Sequence, residues 1–238
     1  MTHRADLNTD FASGDRQALV SLMLQYIDDG VVAAHMNIIH GGVDLFTGHR
    51  AYIAGMEAYL ANNGGGRFVP LPLWDPASPI PAEFNVVKAD DSGNPRPALV
   101  NLAPNMPLPT MFRPPALCSF QSGGALGNAI NGWHGSVHTT IDGTMGDIMI
   151  SPSAPIFWCW HAFLDHVFWD WQNCLAPAAP APAPPPTTQP PAPPVPAAPP
   201  PEFPHGHDKR PEHRDHYHAL AHWYRENYGE EKQTAQYQ

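Results

Sequence analysis

Basic residues are scarce in this chain. Twelve Lys and Arg face 22 Asp and Glu, for a net charge of −10, and charged residues make up only 14% of the sequence. A nucleic-acid surface needs a concentrated positive face, so this composition argues against that class of partner. Long apolar runs are also missing. No stretch approaches the roughly 18 apolar residues that a membrane-spanning helix requires. The opening, MTHRADLNTDFASGDRQ, holds no apolar core of the kind a secretory signal carries. The expectation is a cytoplasmic chain, or one exported by another route. Cysteine is limited to Cys118, Cys159 and Cys174. Three thiols cannot all pair, and their spacing matches no zinc motif, so they are expected as small buried thiols.

Histidine and proline are what the chain has in excess. There are 14 histidines, more than Lys and Arg together, and 30 prolines. Half of the prolines crowd residues 175–204, LAPAAPAPAPPPTTQPPAPPVPAAPPPEFP. Proline lacks the N–H and fixes φ, so this run is expected as an extended linker, at about 3.1 Å per residue. It divides the chain into a globular part, residues 1–174, and a polar His-rich tail, residues 205–238. The tail stretch EHRDHYHALAHWYRENYGEE has the spacing of one amphipathic helix.

Within the globular part, apolar periodicity predicts four main helices. They cover about 14–36, about 48–62, about 131–141, and from after SPSAP to about 173. Pro155 suits the first turn of the last helix, and Ser153 is placed to cap it. Some 70 residues rich in Pro, Gly and Asn separate the second and third helices. Short strands are expected there near FVPLPLW and EFNVV. A loop of this length in a compact domain is usually functional or wraps a site.

The histidines of the globular part fall into two clusters. His134 and His138 are four apart on a predicted helix, so both imidazoles share a face and could share a metal. His161 lies on the next long helix, with Asp165 on the same face. Asp165 is expected to support a ligand or to satisfy local polar groups. His166 is rotated well away and is assigned to surface or core. Upstream, His35 ends the first helix, His40 lies in the loop IIHGGVDLF, and His49 opens the second helix. Scattered loop and cap histidines are the alternative for this cluster.

The flanks of these histidines carry a family resemblance. WHGSVH, GTMGD and SPSAPIFWCWHAFLDHVFWDWQ resemble the copper B pattern of the tyrosinases, in which H-x-x-x-H precedes an SP-x-DP-[IV]-FW-x-HHA segment. HGGVDLFTGHRAYIAGMEAYL is similar to the copper A pattern of that family, and LPLWD to its LPYWD. The resemblance covers about residues 19–173. It implies a mainly α fold, a four-helix bundle around a dinuclear copper site with long irregular loops, followed here by the Pro-rich linker and the His-rich tail. By position it implies His35, His40 and His49 as ligands of one copper ion, and His134, His138 and His161 as ligands of the other. Two copper ions and O2 as co-substrate follow from it, with a small phenol as substrate.

The departures from the family pattern bear on mechanism. HHA is WHA here, with Trp160 in first place, and DP is Ala154-Pro155. PWHR is TGHR, so the tryptophan before His49 is missing. Ile38 stands two residues before His40, so there is no Cys–His thioether, which resembles the bacterial pattern. Many hydroxylating members carry Asn after the first copper B histidine and Glu several residues before it. Gly135 follows His134, and SFQSGGALGNAING contains no acid. Gln121, Asn128 or Asn131 could hold a water, but a neutral amide is a poor base. Oxidation of o-diphenols is therefore expected to outrun hydroxylation of monophenols. Gly135, Thr139 and Met145 are expected at the substrate pocket, with ordinary turn residues as the alternative. Arg50 is expected to pair with Asp75 or Asp165, or to be a solvated charge.

The tail admits three roles. His205, His207, His213, His216, His218 and His222 could capture or deliver copper, with a copper chaperone as partner, or could be plain solvated residues. A linker of this length spans roughly 90 Å, so Tyr217, Tyr224 or Tyr228 could reach the copper mouth as an intramolecular lid. The activity implied is that of a type 3 copper oxidase. An o-aminophenol oxidase, a reversible O2 carrier and a copper-storing protein are the rivals.

Overall fold

A computed structural model describes residues 3–175. The linker beyond Leu175 and the His-rich tail, with its candidate ligands and tyrosines, lie outside the described residues. Among the described residues the architecture is five α-helices joined by short 3₁₀ turns, with no strands. The helices are α1 (Ser13–Tyr26), α2 (Asp29–Ala34), α3 (Asp44–Asn62), α4 (Gly123–Ile141) and α5 (Pro155–Leu175). No described helix is long and apolar enough to cross a membrane.

The single helix expected over 14–36 is two. Asp28 adopts an extended backbone and its side chain accepts from Val31 N at 2.7 Å, capping α2. A short acid that satisfies the next helix's free N–H competes with continuing the previous one. The break lets α2 run into the 3₁₀ turn His35–Asn37, which delivers His35 to the interior. Helix α3 begins four residues before the expected start. Helix α4 begins eight residues early, where Ser122 caps it by accepting from Ala125 N at 3.1 Å. Its first turns are glycine-rich and read as loop, because glycine is a poor helix former. Packing supplies the reason for the glycines. A Cβ on Gly127 would lie 1.8 Å from Gly42 O, so only glycine lets α4 approach the loop that carries His40 so closely.

Helix α5 is the centre of the core. Residues 155–165 are buried around its whole circumference, including Phe157, Trp158, Trp160 and Asp165. A helix apolar on all sides must be sheathed, here by α1, α3 and the long loop. Pro155 opens it as expected, but Ser153 does not cap it. Ser153 sits in the preceding 3₁₀ turn and donates its hydroxyl to Ile150 O at 2.5 Å.

The strands expected in the long loop do not form. The residues near 70 make only one isolated parallel bridge, Asp6 to Leu73. Pro70 and Pro72 remove the donors that a ladder needs. The stretch near 84 forms a 3₁₀ turn, Ala82–Phe84. The loop instead wraps the helices through single bonds, such as Trp74 N to Cys159 O at 3.0 Å and Lys88 N to Ser153 O at 2.9 Å. The expectation of three separate thiols is corrected in part. Cys118 and Cys174 form a disulfide that ties this loop to the end of α5, while Cys159 is free and buried. Spacing could not reveal the pair, since 56 residues separate them.

A buried ion cluster joins the layers. Asp165 on α5 receives Arg4 Nε and Nη2 at 3.2 and 2.8 Å on one oxygen and Arg50 Nε on the other. Arg4 also donates to Glu57 Oε1 at 2.6 Å and to Leu71 O at 2.9 Å. Arg50 therefore pairs with Asp165 and not with Asp75. Removing one charge from such a cluster leaves its partners buried and uncompensated. Asp165→Asn is expected to destabilise the fold by about 3–5 kcal/mol, read as a lower urea midpoint. An unchanged midpoint would contradict this account of the cluster.

Candidate metal centre

The first histidine triad is assembled from three local structures. His35 comes from the 3₁₀ turn after α2, His40 from the following loop, and His49 from the second turn of α3. In each ring Nδ1 meets a backbone carbonyl: Ile148 O for His35 at 3.1 Å, Ile38 O for His40 at 2.9 Å, Leu45 O for His49 at 2.7 Å. A carbonyl oxygen only accepts, so each Nδ1 carries the proton. A neutral ring then presents a bare lone pair on Nε2. These three atoms converge, with His35 Nε2 at 3.1 Å from His49 Nε2 and at 3.0 Å from His40 Nε2.

Bare lone pairs at this separation repel, and no hydrogen bond joins them. Adding a proton is opposed by burial. Desolvation, reinforced by neighbouring rings, lowers His35 to about 3 and holds His49 well below the usual histidine range. Burial lowers His40 as well. A metal cation satisfies all three nitrogens at once, and a backbone-bonded Nδ1 is how proteins orient imidazole ligands.

The second triad uses facing helices. His134 and His138 lie one turn apart on α4, and His161 lies on α5. His138 Nδ1 donates to Met145 O at 3.0 Å. His134 Nε2 and both nitrogens of His161 are buried without a hydrogen-bond partner. Such orphans are rare and call for an explanation. One potential ligand atom from each of His134, His138 and His161 lies within 4.8 Å of the others, as also holds for the first triad. Burial lowers His138 to about 4 and keeps His134 and His161 well below the ordinary range.

The two triads are neighbours. The rings of His49 and His161 stack with centroids 3.9 Å apart and planes within 5°, and those of His40 and His134 lie 6.1 Å apart. Phe157, fully buried, packs against His161 at 4.2 Å and His35 at 5.0 Å, a floor that excludes water. His40 and His138, one from each triad, are only partly buried and mark the open side.

Other expected residues fall as follows. Asp165 touches no histidine ring nitrogen and serves the arginines. His166 lies outside both triads, with Asp170 at 3.8 Å. Gly135 is partly exposed on α4, and a Cβ there would meet nothing within 4 Å. Thr139 is exposed and turns its hydroxyl back to Gly135 O and Ser136 O, both at 3.2 Å. Met145 is fully buried, and its carbonyl is the part that meets His138. The amides considered for holding a water are engaged elsewhere. Asn128 Oδ1 accepts from Gly42 N at 2.7 Å, and Asn131 Nδ2 donates to His40 O at 2.9 Å. Gln121 Nε2 donates to Ser119 O at 3.0 Å. Sequence reasoning missed Phe157 and the carbonyls of Met145 and Ile148. No side-chain signal marks a carbonyl.

Residues 101–174 match the family model described as the common central domain of tyrosinase. Over this segment the chain is similar to the tyrosinase family. The tyrosinase segment contains His134, His138 and His161. His35, His40 and His49 lie upstream of it, so their place beside the second triad rests on geometry. No curated protein matches the chain.

The depressed histidines make the metal-free fold sensitive to acid. Unfolded, each ring titrates near 6.5; folded, His138 and His35 resist protonation to about 4 and about 3. Below about 6.5 the unfolded chain binds more protons than the folded one, so stability falls as pH falls through the window between these values. Thermal unfolding of the metal-free chain is expected at progressively lower temperature from about pH 7 to about pH 5. A midpoint independent of pH in that range would contradict the burial assigned to these rings.

Proposed function

We propose that this chain is a type 3 copper oxidase that uses O2 to convert o-diphenols to o-quinones. The observation that carries the reading is the pair of adjacent triads, each offering three neutral imidazole nitrogens. Imidazole suits copper, and three protein ligands leave an ion an open position for substrate. Copper bound there supplies the redox chemistry, in which two diphenols each lose two electrons and two protons while one O2 becomes two waters. The protein's own part is to hold His35, His40, His49 and His138 by backbone carbonyls and His134 by Asn131, to keep water out with Phe157, and to admit a flat ring on the side of His40 and His138. The tyrosinase segment supports the same class of chemistry.

Hydroxylation of a monophenol needs a base near the incoming hydroxyl. Gly135 offers no side chain next to His134, and Asn128 and Asn131 are tied to the His40 loop. Asp165 is held by two arginines. A diphenol gives up its proton more readily, so this site favours it. Oxygen uptake by the copper-loaded chain is expected to be fast with catechol-type substrates and slow, after a lag, with tyrosine-type monophenols. Fast monophenol turnover without a lag would overturn the preference, and no uptake with catechols by the loaded chain would overturn the oxidase reading.

A further inference from the structure

We propose that Asn131 is a positioning residue that sets the proton on His134 and ties the second triad to the loop carrying the first. The metal readout below rests on the copper reading of the triads; the proton placement does not. The argument starts from His40 O, which can only accept. Asn131 Nδ2 lies 2.9 Å from it, so the amide nitrogen faces the His40 loop. The amide oxygen is then the atom turned to His134 Nδ1, at 3.4 Å. An amide oxygen only accepts, so Nδ1 of His134 is the protonated nitrogen. The bare lone pair is left on Nε2, the buried atom that has no partner in the protein. The other five rings differ in this respect. Four take their Nδ1 acceptor from the backbone, and His161 has no partner at either nitrogen.

The same side chain therefore acts on both triads. It orients a ligand of the second and fixes the backbone at a ligand of the first. Two further features of α4 make the link rigid. Asn128, three residues earlier on the helix, accepts from Gly42 N at 2.7 Å, and Gly127 lets the helix meet Gly42 O directly. Asn131 is partly exposed, so its replacement leaves the core intact.

The test compares Asn131→Leu and Asn131→Asp in the full-length chain. The first readout is ¹⁵N NMR of the imidazoles in the metal-free protein, which reports which nitrogen of His134 bears the proton. Wild type and Asn131→Asp are expected to show the Nδ1–H form, since both keep an acceptor. Asn131→Leu is expected to show a mixture of the two tautomers. The second readout is copper retention against a competing chelator. Asn131→Leu is expected to hold copper about 10- to 100-fold more weakly. Asn131→Asp, which loses the donor to His40 O, is expected to release one of its two ions early and keep the other. A His134 tautomer unchanged in Asn131→Leu, or two ions held as in wild type by Asn131→Asp, would overturn the proposal. If Asn131→Leu does not fold by circular dichroism, the Asp variant decides through its copper release. A wild type that binds no copper would overturn the copper reading, and the tautomer comparison would still decide the role of Asn131.

Discussion

Nδ1 protons bonded to backbone carbonyls are the constraint on which the rest of the site depends. They fix the first triad and His138 in the tautomer that turns Nε2 inward. In the first triad the inward nitrogens of His49 and His40 sit 3.1 and 3.0 Å from that of His35, in a largely buried region. Lone pairs cannot face one another at that distance without a cation, and burial keeps a proton from serving as one. The cost of leaving buried polar atoms unmatched is of order 1–3 kcal/mol each, so a fold that gathers several of them is built for something to bind there.

The scaffold reads as a set of devices that hold those carbonyls and rings in place. Two residues of one loop serve different triads: Met145 O receives His138, and Ile148 O receives His35. On the other side Asn131 reaches both His40 and His134. The triads are thus joined through the protein at two places. The ring stack of His49 on His161 joins them at a third. Further out, the Asp165 cluster locks α5, with His161, to α3, with His49, and to the N-terminal segment through Arg4. One buried aspartate on α5, a turn beyond His161, therefore sets how the facing helices meet.

Much of this was legible in the sequence, and unevenly so. The H-x-x-x-H spacing survives as a shared face of α4 because helical geometry is strictly local. The six histidines of the two clusters are brought together as two groups, while His166 stays apart. What stayed hidden depends on contacts between distant segments. The first turns of α4 look like loop until Gly127 is seen against Gly42. The division of the first helix depends on a single capping bond at Asp28. The Cys118–Cys174 bridge joins residues whose spacing matches nothing. The strand expected near 70 fails because Pro70 and Pro72 remove donors, the stretch near 84 folds as a 3₁₀ turn, and no partner strand is present among the described residues. Backbone carbonyls leave no mark in a sequence, although they fix the tautomer of most of the rings.

The central claim is that the two triads hold two copper ions side by side. Anomalous diffraction at the copper edge, on crystals of the copper-loaded full-length chain, tests it most directly. The account predicts two adjacent peaks, one bound by Nε2 of His35, His40 and His49, the other by His134, His138 and His161. A single peak shared between the triads, or copper found only on histidines outside them, would contradict it.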